Sequence, residues 1–460
     1  MRCCERPAHP ARWRAVALPR RGAGQGRGGP AVSATLIIVF LVTLAIGVPV
    51  AFTMVIAGLA AVLVKGSLSP ISAVQNMFAG IDSFPLLAIP FFILAAELMT
   101  GGALTEVLLR FANQLVGRVR GGLGHTNVLT ITFFSGISGS ALANMAGPGN
   151  MLIHMMKKSG YSAEYAAALT AATSIVGPII PPSIIMIVYA LTENSVTIMG
   201  LFLGGVIPGL MISGAMLVVN HWISVRRNYH GSDERPSARE VMATFVRALP
   251  ALALPLIILG GIHFGVFTPT EASAVAVFYA LAIGRFLYGT LKWGMLPGIL
   301  FRTALVTSSI LMIIATSEVL SWVLTVGQIP QAAAQWIAGL NLNALELFLL
   351  INVFLLLGGI FIEPLPGVMI FVPILAPMAL AAGIDPLQFA IVVIINLTLG
   401  MITPPVGALL FITTVVSGVP MGKLTREMIP MFGAQLAVLL LLTVFPALVT
   451  WLPAVFGYSR

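Results

Sequence analysis

The chain has 460 residues, of which 58% are hydrophobic and only 8% charged, with a mean hydropathy of +1.02 and a formal charge of +9. Such a composition leaves too little polar surface to cover a soluble globule, so the chain is read as an integral membrane protein. The positive charge does not mark a nucleic-acid binder, because seven Arg and one Glu fall in the first 30 residues, leaving +3 for all that follows.

Residues 1–33 are a basic, low-complexity leader rich in Arg, Pro, Gly and Ala, without an apolar stretch that could form a signal-peptide core. Both cysteines, Cys3 and Cys4, lie there. Disulfides, thiol catalysis and Cys-type metal sites are therefore not expected in the membrane body. The leader is read as an artefact of start-codon choice, with translation beginning near Val32; the other reading is a disordered basic arm at the anionic leaflet.

Uncharged runs then follow at Val32–Val64, Tyr165–Thr192, Asn194–Val225, Ala248–Thr270, Pro386–Gly422 and Met428–Ser459. Several exceed the roughly 20 residues that one membrane helix needs, so they must be tilted, broken or paired. Basic pairs stand in the short loops between them, at Arg118 and Arg120, Lys157 and Lys158, Arg226 and Arg227, and Lys423 and Arg426. The positive-inside rule marks these loops as cytoplasmic.

Two stretches repeat at an offset of 223 residues: Gly136, Gly160, Gly177, Pro181 and Pro182 fall on Gly359, Gly383, Gly400, Pro404 and Pro405. Each copy has a Gly-containing apolar turn followed by an apolar helix interrupted by a Pro-Pro pair. Internal repeats with broken hydrophobic segments at matching places point to a secondary transporter and its binding site. A first membrane repeat over 34–225, a cytoplasmic linker over 226–247 and a second repeat over 248–460 are expected. The first hairpin is flanked by basic residues, whereas Leu380 and Ala381 replace Lys157 and Lys158 in the second. That loss suggests copies related by inversion, although an offset alone is equally compatible with a parallel repeat.

Proline lacks an amide hydrogen and its ring clashes with the carbonyl four residues back. Pro181 and Pro182 should thus release the carbonyls of Gly177 and Pro178, and Pro404 and Pro405 those of Gly400 and Met401. Oxygens facing inward without a carboxylate suit Na⁺, with hydroxyls of Ser138, Ser140 and Thr403 and the Asn396 side chain close by. A proline kink repaired by neighbouring helices is the plainer alternative, and two pairs in register weigh against it.

Gly136-Ile137-Ser138-Gly139 also fits the G-x-S-G nucleophile pattern of intramembrane serine proteases, which would need His154 or His263 beside Ser138. A protease gives no reason for the second copy. Among the acidic residues in apolar surroundings, Glu271 and Glu363 flank prolines; Glu271 reads as a helix cap, while Glu97, Glu106, Glu193 and Glu318 read as helix-end or subunit-contact residues. His125, His154 and His263 lack metal-ligand spacing. No G-x-x-x-x-G-K-[ST] motif occurs, so an ion gradient rather than ATP is the expected energy source.

Six segments together carry a resemblance: GVPVAF at Gly47–Phe52, SGISGSALA at Ser135–Ala143, GPIIPPS at Gly177–Ser183 with Tyr189, FTPTEASAVA at Phe267–Ala276, FIEPLPG at Phe361–Gly367 and NLTLGMITPPVG at Asn396–Gly407. Over essentially everything after the leader the chain resembles the large membrane subunit of tripartite ATP-independent periplasmic (TRAP) transporters. The resemblance implies an all-α polytopic membrane protein of the ion-transporter superfamily, with two inverted repeats, each bearing a re-entrant hairpin and a broken helix, and an elevator motion. It implies a non-enzymatic subunit of the bacterial inner membrane that couples Na⁺ to uptake of a small organic anion. Its partners would be a small four-helix membrane subunit and a periplasmic substrate-binding protein. Carried over by position, one Na⁺ site joins Gly136 and Ser138 to Gly177, Ile180 and Pro182, and the other joins Gly359 to Gly400, Thr403 and Pro405. Substrate is expected near Ser140, Asn144, Glu363 and Asn396. The chain departs from the family at Asn144, where Asp is frequent, which counts against a proton or cation role there.

Overall fold

The computed structural model describes residues 29–458, except residues 67, 100–102, 232–235, 290, 330, 333–334, 336–338, 340–341 and 405. Pro405 is thus a predicted site residue outside the described ones. All regular structure among the described residues is helical. Six helices are long and apolar enough to cross a membrane, or seven if the pair Pro70–Ile81 and Phe84–Met99, bent by 61°, is one span.

The repeat extends well beyond the motifs that announce it. Shifting by 223 residues carries the hairpin arms Gly122–Ser138 and Ala141–Lys158 onto Ala344–Gly359 and Pro364–Ala381. The same shift carries the broken helix, Ala163–Ser174 and Ile184–Thr192, onto Pro386–Gly400 and Ala408–Ser417, and the long helix Ile198–Arg226 onto Met421–Val444. The local reasons also recur. Ser162 caps the first broken helix by accepting from Tyr165 N, and Asp385 caps the second by accepting from Leu387 N and Gln388 N. Each interruption falls at the Pro-Pro pair, where the ladder of backbone hydrogen bonds cannot continue.

Polar contacts fix how the copies face each other. At one end, Arg227 past helix 198–226 pairs with Glu427 near the start of helix 421–444 at 2.8 Å. At the other end, a Cβ on Gly200 would lie 3.7 Å from the carbonyl oxygen of Tyr458, beyond the C-terminal end of helix 421–444. These equivalent helices therefore run side by side in opposite directions. The feet of the first hairpin sit at the Arg227 end: Gly121 N donates to Tyr229 O at 3.0 Å, and Ser162 N to the Tyr229 hydroxyl at 3.2 Å. The foot of the second sits at the opposite end, where Gln388 Nε2 donates to the carbonyls of Leu442 and Thr443 at 2.9 and 2.8 Å.

Helices 50–65, 70–81 and 88–99 pack against helices 269–282 and 296–326 as a layer beside the hairpins and broken helices. It carries exposed Phe52, Phe78 and Phe301, as expected of a lipid-facing surface. Glu97 in this layer pairs with Arg302 at 2.9 Å, and Glu106 and Glu193 also stand at helix ends, as expected. Glu271 completes a capping box with Thr268, again as expected. Glu318 lies inside the continuous helix Leu296–Val326, so of the two expected settings the helix end does not apply to it.

Close backbone packing at the break of the second repeat gives a direct test. A Cβ on Gly400 would sit 2.3 Å from the carbonyl carbon of Gly359, so the hairpin must shift to admit a methyl group. Gly400→Ala should destabilise by about 1–3 kcal/mol and lower the thermal midpoint in detergent. Gly433→Ala, where nothing lies within 4 Å, should leave it unchanged or slightly raised.

Candidate functional site

Where the first hairpin turns, Gly139 takes a left-handed conformation (φ +60°), and a Cβ there would lie 2.5 Å from Pro182 O. Only glycine satisfies both constraints. Gly136 faces Ile180 and the Pro181 carbonyl, its would-be Cβ 3.7 Å from each, and a Cβ on Gly177 would strike the Ser140 carbonyl group at 2.7–2.8 Å. The predicted first-site residues Gly136, Ser138, Gly177, Ile180 and Pro182 therefore meet where the hairpin tip abuts the broken helix. Helix 198–226 backs this junction through Gly205 and Gly209. A Cβ on Gly205 would lie 2.3 Å from Ile179 O, and one on Gly209 would lie 2.5 Å from Ile180 Cγ1.

A buried amide locks the tip. The Ser138 hydroxyl donates to Asn144 Oδ1 at 2.5 Å, while Asn144 Nδ2 donates to Ser135 Oγ at 2.8 Å and to Ser174 O at 3.2 Å. Asn144 is fully buried. Expected near the substrate, it also acts as a strut, its amide joining the hairpin to Ser174 O of the broken helix. Ser140, half-buried, caps the returning arm by accepting from Ala143 N at 3.4 Å.

At the second junction, Gly359 and Gly400 touch backbone to backbone, and Thr403 lies one turn on, its hydroxyl donating to Leu399 O at 2.8 Å. Asn396 Nδ2 donates to the backbone oxygen and Oδ1 of Asn352 at 2.9 and 3.0 Å. The other end of the Asn396 amide, Oδ1, is buried without a hydrogen-bond partner among the described residues. Glu363 stands exposed at this tip, at the start of the returning arm, without a side-chain cap bond. Ser140 and Asn144 thus stand at the first hairpin tip, Glu363 at the second and Asn396 on the second broken helix.

Three of the four carbonyls that the prolines should free have partners. Pro178 O accepts from the Ser183 hydroxyl at 2.5 Å, Gly400 O from Thr403 N at 3.0 Å, and Met401 O from Leu409 N at 3.0 Å. The breaks are thus partly self-satisfied, as backbone in hydrocarbon requires, and each carbonyl keeps a second lone pair. Ser135, Ser174, Ser183 and Asn352 complete these junctions and were not singled out beforehand. Their signal was weak, a small polar side chain inside an apolar helix.

Nothing around Ser138 supports nucleophilic catalysis. Its hydroxyl is committed to Asn144, and His263 packs its ring against Phe264, Phe456 and Tyr458. The other candidate base, His154, is exposed on helix 150–158. The protease reading is withdrawn.

Paired hairpins abutting paired broken helices define a membrane transporter, and solved structures share the fold. The YdaH transporter of Alcanivorax borkumensis matches with a TM-score of 0.61 at 15% identity, over 82% of this chain and 87% of that one. The MtrF protein of Neisseria gonorrhoeae, described as one of a class of antimetabolite efflux pumps, matches with a TM-score of 0.57 at 13% identity, over 91% and 97%. Residues 37–448 match the family model described as "Tripartite ATP-independent periplasmic transporter, DctM component". The chain is 40% identical to the sialic acid TRAP transporter large permease of Vibrio cholerae, over 90% of this chain and 97% of the relative. It is also 40% identical to the C4-dicarboxylate large permease of Pseudomonas aeruginosa, over 84% and 90%. A third relative is the 2,3-diketo-L-gulonate large permease of Escherichia coli, at 36% over 87% and 93%. The chain belongs to the TRAP transporter large permease family, a multi-pass inner-membrane protein and not an enzyme.

The Asn144 strut predicts a measurable stability cost. Asn144→Ala strands the Ser138 hydroxyl in a buried site, at about 1–3 kcal/mol for an unsatisfied group, whereas the Ser174 carbonyl keeps Gly177 N at 3.1 Å. A markedly lower thermal midpoint than wild type, with helical content by circular dichroism retained, is the expected outcome.

Proposed function

We propose that this chain is the subunit through which a small organic anion, delivered by a periplasmic binding protein, crosses the inner membrane with Na⁺. The observation that carries the reading is the pair of junctions in which a glycine-bearing hairpin tip meets a proline-broken helix. Broken helices are the usual place for ion and substrate sites near the bilayer midplane. One Na⁺ would be held among Gly136, Ser138, Gly177, Ile180 and Pro182, and a second among Gly359, Gly400 and Thr403, together with Pro405, which lies outside the described residues. The unpartnered, buried Asn396 Oδ1 supports a ligand at the second junction, since a buried oxygen without a donor is costly unless something else meets it.

Equivalent helices that run antiparallel, and hairpin feet at opposite ends, support an inverted-repeat architecture. Relative sliding of the hairpin layer past helices 50–99 and 269–326 would then expose the junctions to each side in turn, as in an elevator. The anion is placed in the carboxylate class because the named relatives transport sialic acid, C4-dicarboxylates and 2,3-diketo-L-gulonate. Ser140 and Glu363, accessible at the two tips, are the first-repeat and second-repeat positions nearest such a substrate. Asn144 and Asn396 act by holding the tips. A small four-helix membrane subunit completes the assembly; the isethionate permease of Oleidesulfovibrio alaskensis, of which this chain spans only 64%, has length for such an added segment.

Proteoliposomes holding this chain with both partner subunits should accumulate a binding-protein-loaded carboxylate only under an inward Na⁺ gradient. Replacing Pro181 and Pro182 with Ala should abolish that uptake without preventing membrane insertion. Uptake of the variant at the wild-type rate would contradict the ion-site assignment.

A further inference from the structure

Away from the hairpin junctions, a cavity of about 260 Å³ opens between the two layers. Glu318 lines it from helix 296–326, Asn76 and Ser83 from the bent span opposite, and Thr192 and Met369 from the first broken helix and the second hairpin. Glu318 lies eight residues before the helix end at Val326, about 12 Å into the span at 1.5 Å per residue. Among the described residues no ion pair or hydrogen bond engages its carboxylate. Lys65, on a helix packed against this one, is committed to Val326 O at 3.2 Å.

An uncompensated carboxylate at that depth is costly, and such residues are rarely kept without a role. The chain also makes room for it: a Cβ on Gly80 would lie 2.2 Å from Glu318 Cγ. The other polar groups around the cavity can all offer oxygen. Asn76 spends its Nδ2 on Ser72 O at 2.7 Å, leaving Oδ1, and the Thr192 hydroxyl donates to Val188 O at 2.9 Å, leaving its lone pairs. Oxygen acceptors surrounding one formal negative charge match one hard cation of single charge. A cavity of this size admits it with several waters.

We propose that this cavity is a monovalent metal-cation site, with Glu318 as its charged ligand and Asn76, Ser83 and Thr192 as neutral oxygen ligands. It is distinct from the two hairpin junctions and shares no residue with them. Because its walls come from both layers, any sliding of one past the other would open it; that consequence alone rests on the transport reading above.

The test is equilibrium binding of ²²Na⁺ to the purified full chain in detergent at constant ionic strength. Glu318→Gln should bind one Na⁺ fewer per chain than wild type, and Glu318→Asp should recover it. Gly80→Ala, which displaces the side chain but keeps its charge, should weaken the same site by about tenfold or more (about 1.4 kcal/mol). Thr192→Val should weaken it less. If the hairpin junctions bind no Na⁺, wild type should still bind one ion and Glu318→Gln none, so the two assignments fail independently. A Na⁺ count and affinity in Glu318→Gln equal to wild type would overturn the proposal. So would a variant that changes only the pH dependence of stability, since Glu318 would then carry a proton and not a metal ion.

Discussion

A helix interrupted inside hydrocarbon must find partners for the backbone groups it exposes, and the rest of this structure is arranged around that requirement. At each break the chain supplies some of them locally, through Ser183 on Pro178 O, Thr403 N on Gly400 O and Leu409 N on Met401 O. The hairpin tip is also brought into direct backbone contact with each break. Glycines at 136, 139 and 177 on one side and at 359 and 400 on the other make that approach sterically possible. The long helices behind the breaks have to match, which is why Gly205 and Gly209 stand where Ile179 and Ile180 press in.

The two junctions solve the same problem with different chemistry. The first is polar and pinned by a side-chain network through Asn144 that joins Ser135, Ser138 and Ser174. In the second, Gly358, Gly367 and Leu397 occupy the positions equivalent to Ser135, Asn144 and Ser174. Its contacts are backbone on backbone, with polar fastening shifted along the helix to Asn396 and Asn352. A hairpin tip pinned internally through Asn144 and tied to its broken helix by one side-chain bond, and one held by close packing, have different ways of loosening, so the two gates need not open alike even where their backbones correspond.

Much of this was legible in the sequence, for reasons that differ by feature. Broken helices were readable because proline acts through its own covalent structure, and the repeat because identical glycines and prolines recur in register. The cap formed by Glu271 was readable because Thr268 stands three residues before it. Partners of freed carbonyls were not, because Leu409 N reaches Met401 O only through the path of the loop. Nor was the role of Asn144, whose neighbours Ser135 and Ser174 are set by tertiary packing. For Glu318 the sequence left helix end or subunit contact open; the helix carries through it to Val326, and the packing around Gly80 and Thr192 gives the carboxylate its cavity.

The proposed Na⁺ would bridge each hairpin tip to its broken helix. Hydrogen–deuterium exchange in Na⁺ against K⁺, at equal ionic strength, reads that bridge amide by amide. Slower exchange in Na⁺ confined to the segments around 136–140, 176–183, 359–363 and 400–407, with the outer helices unchanged, is the predicted result. Identical exchange in the two cations at both junctions would contradict it, and would leave the tips held by protein contacts alone.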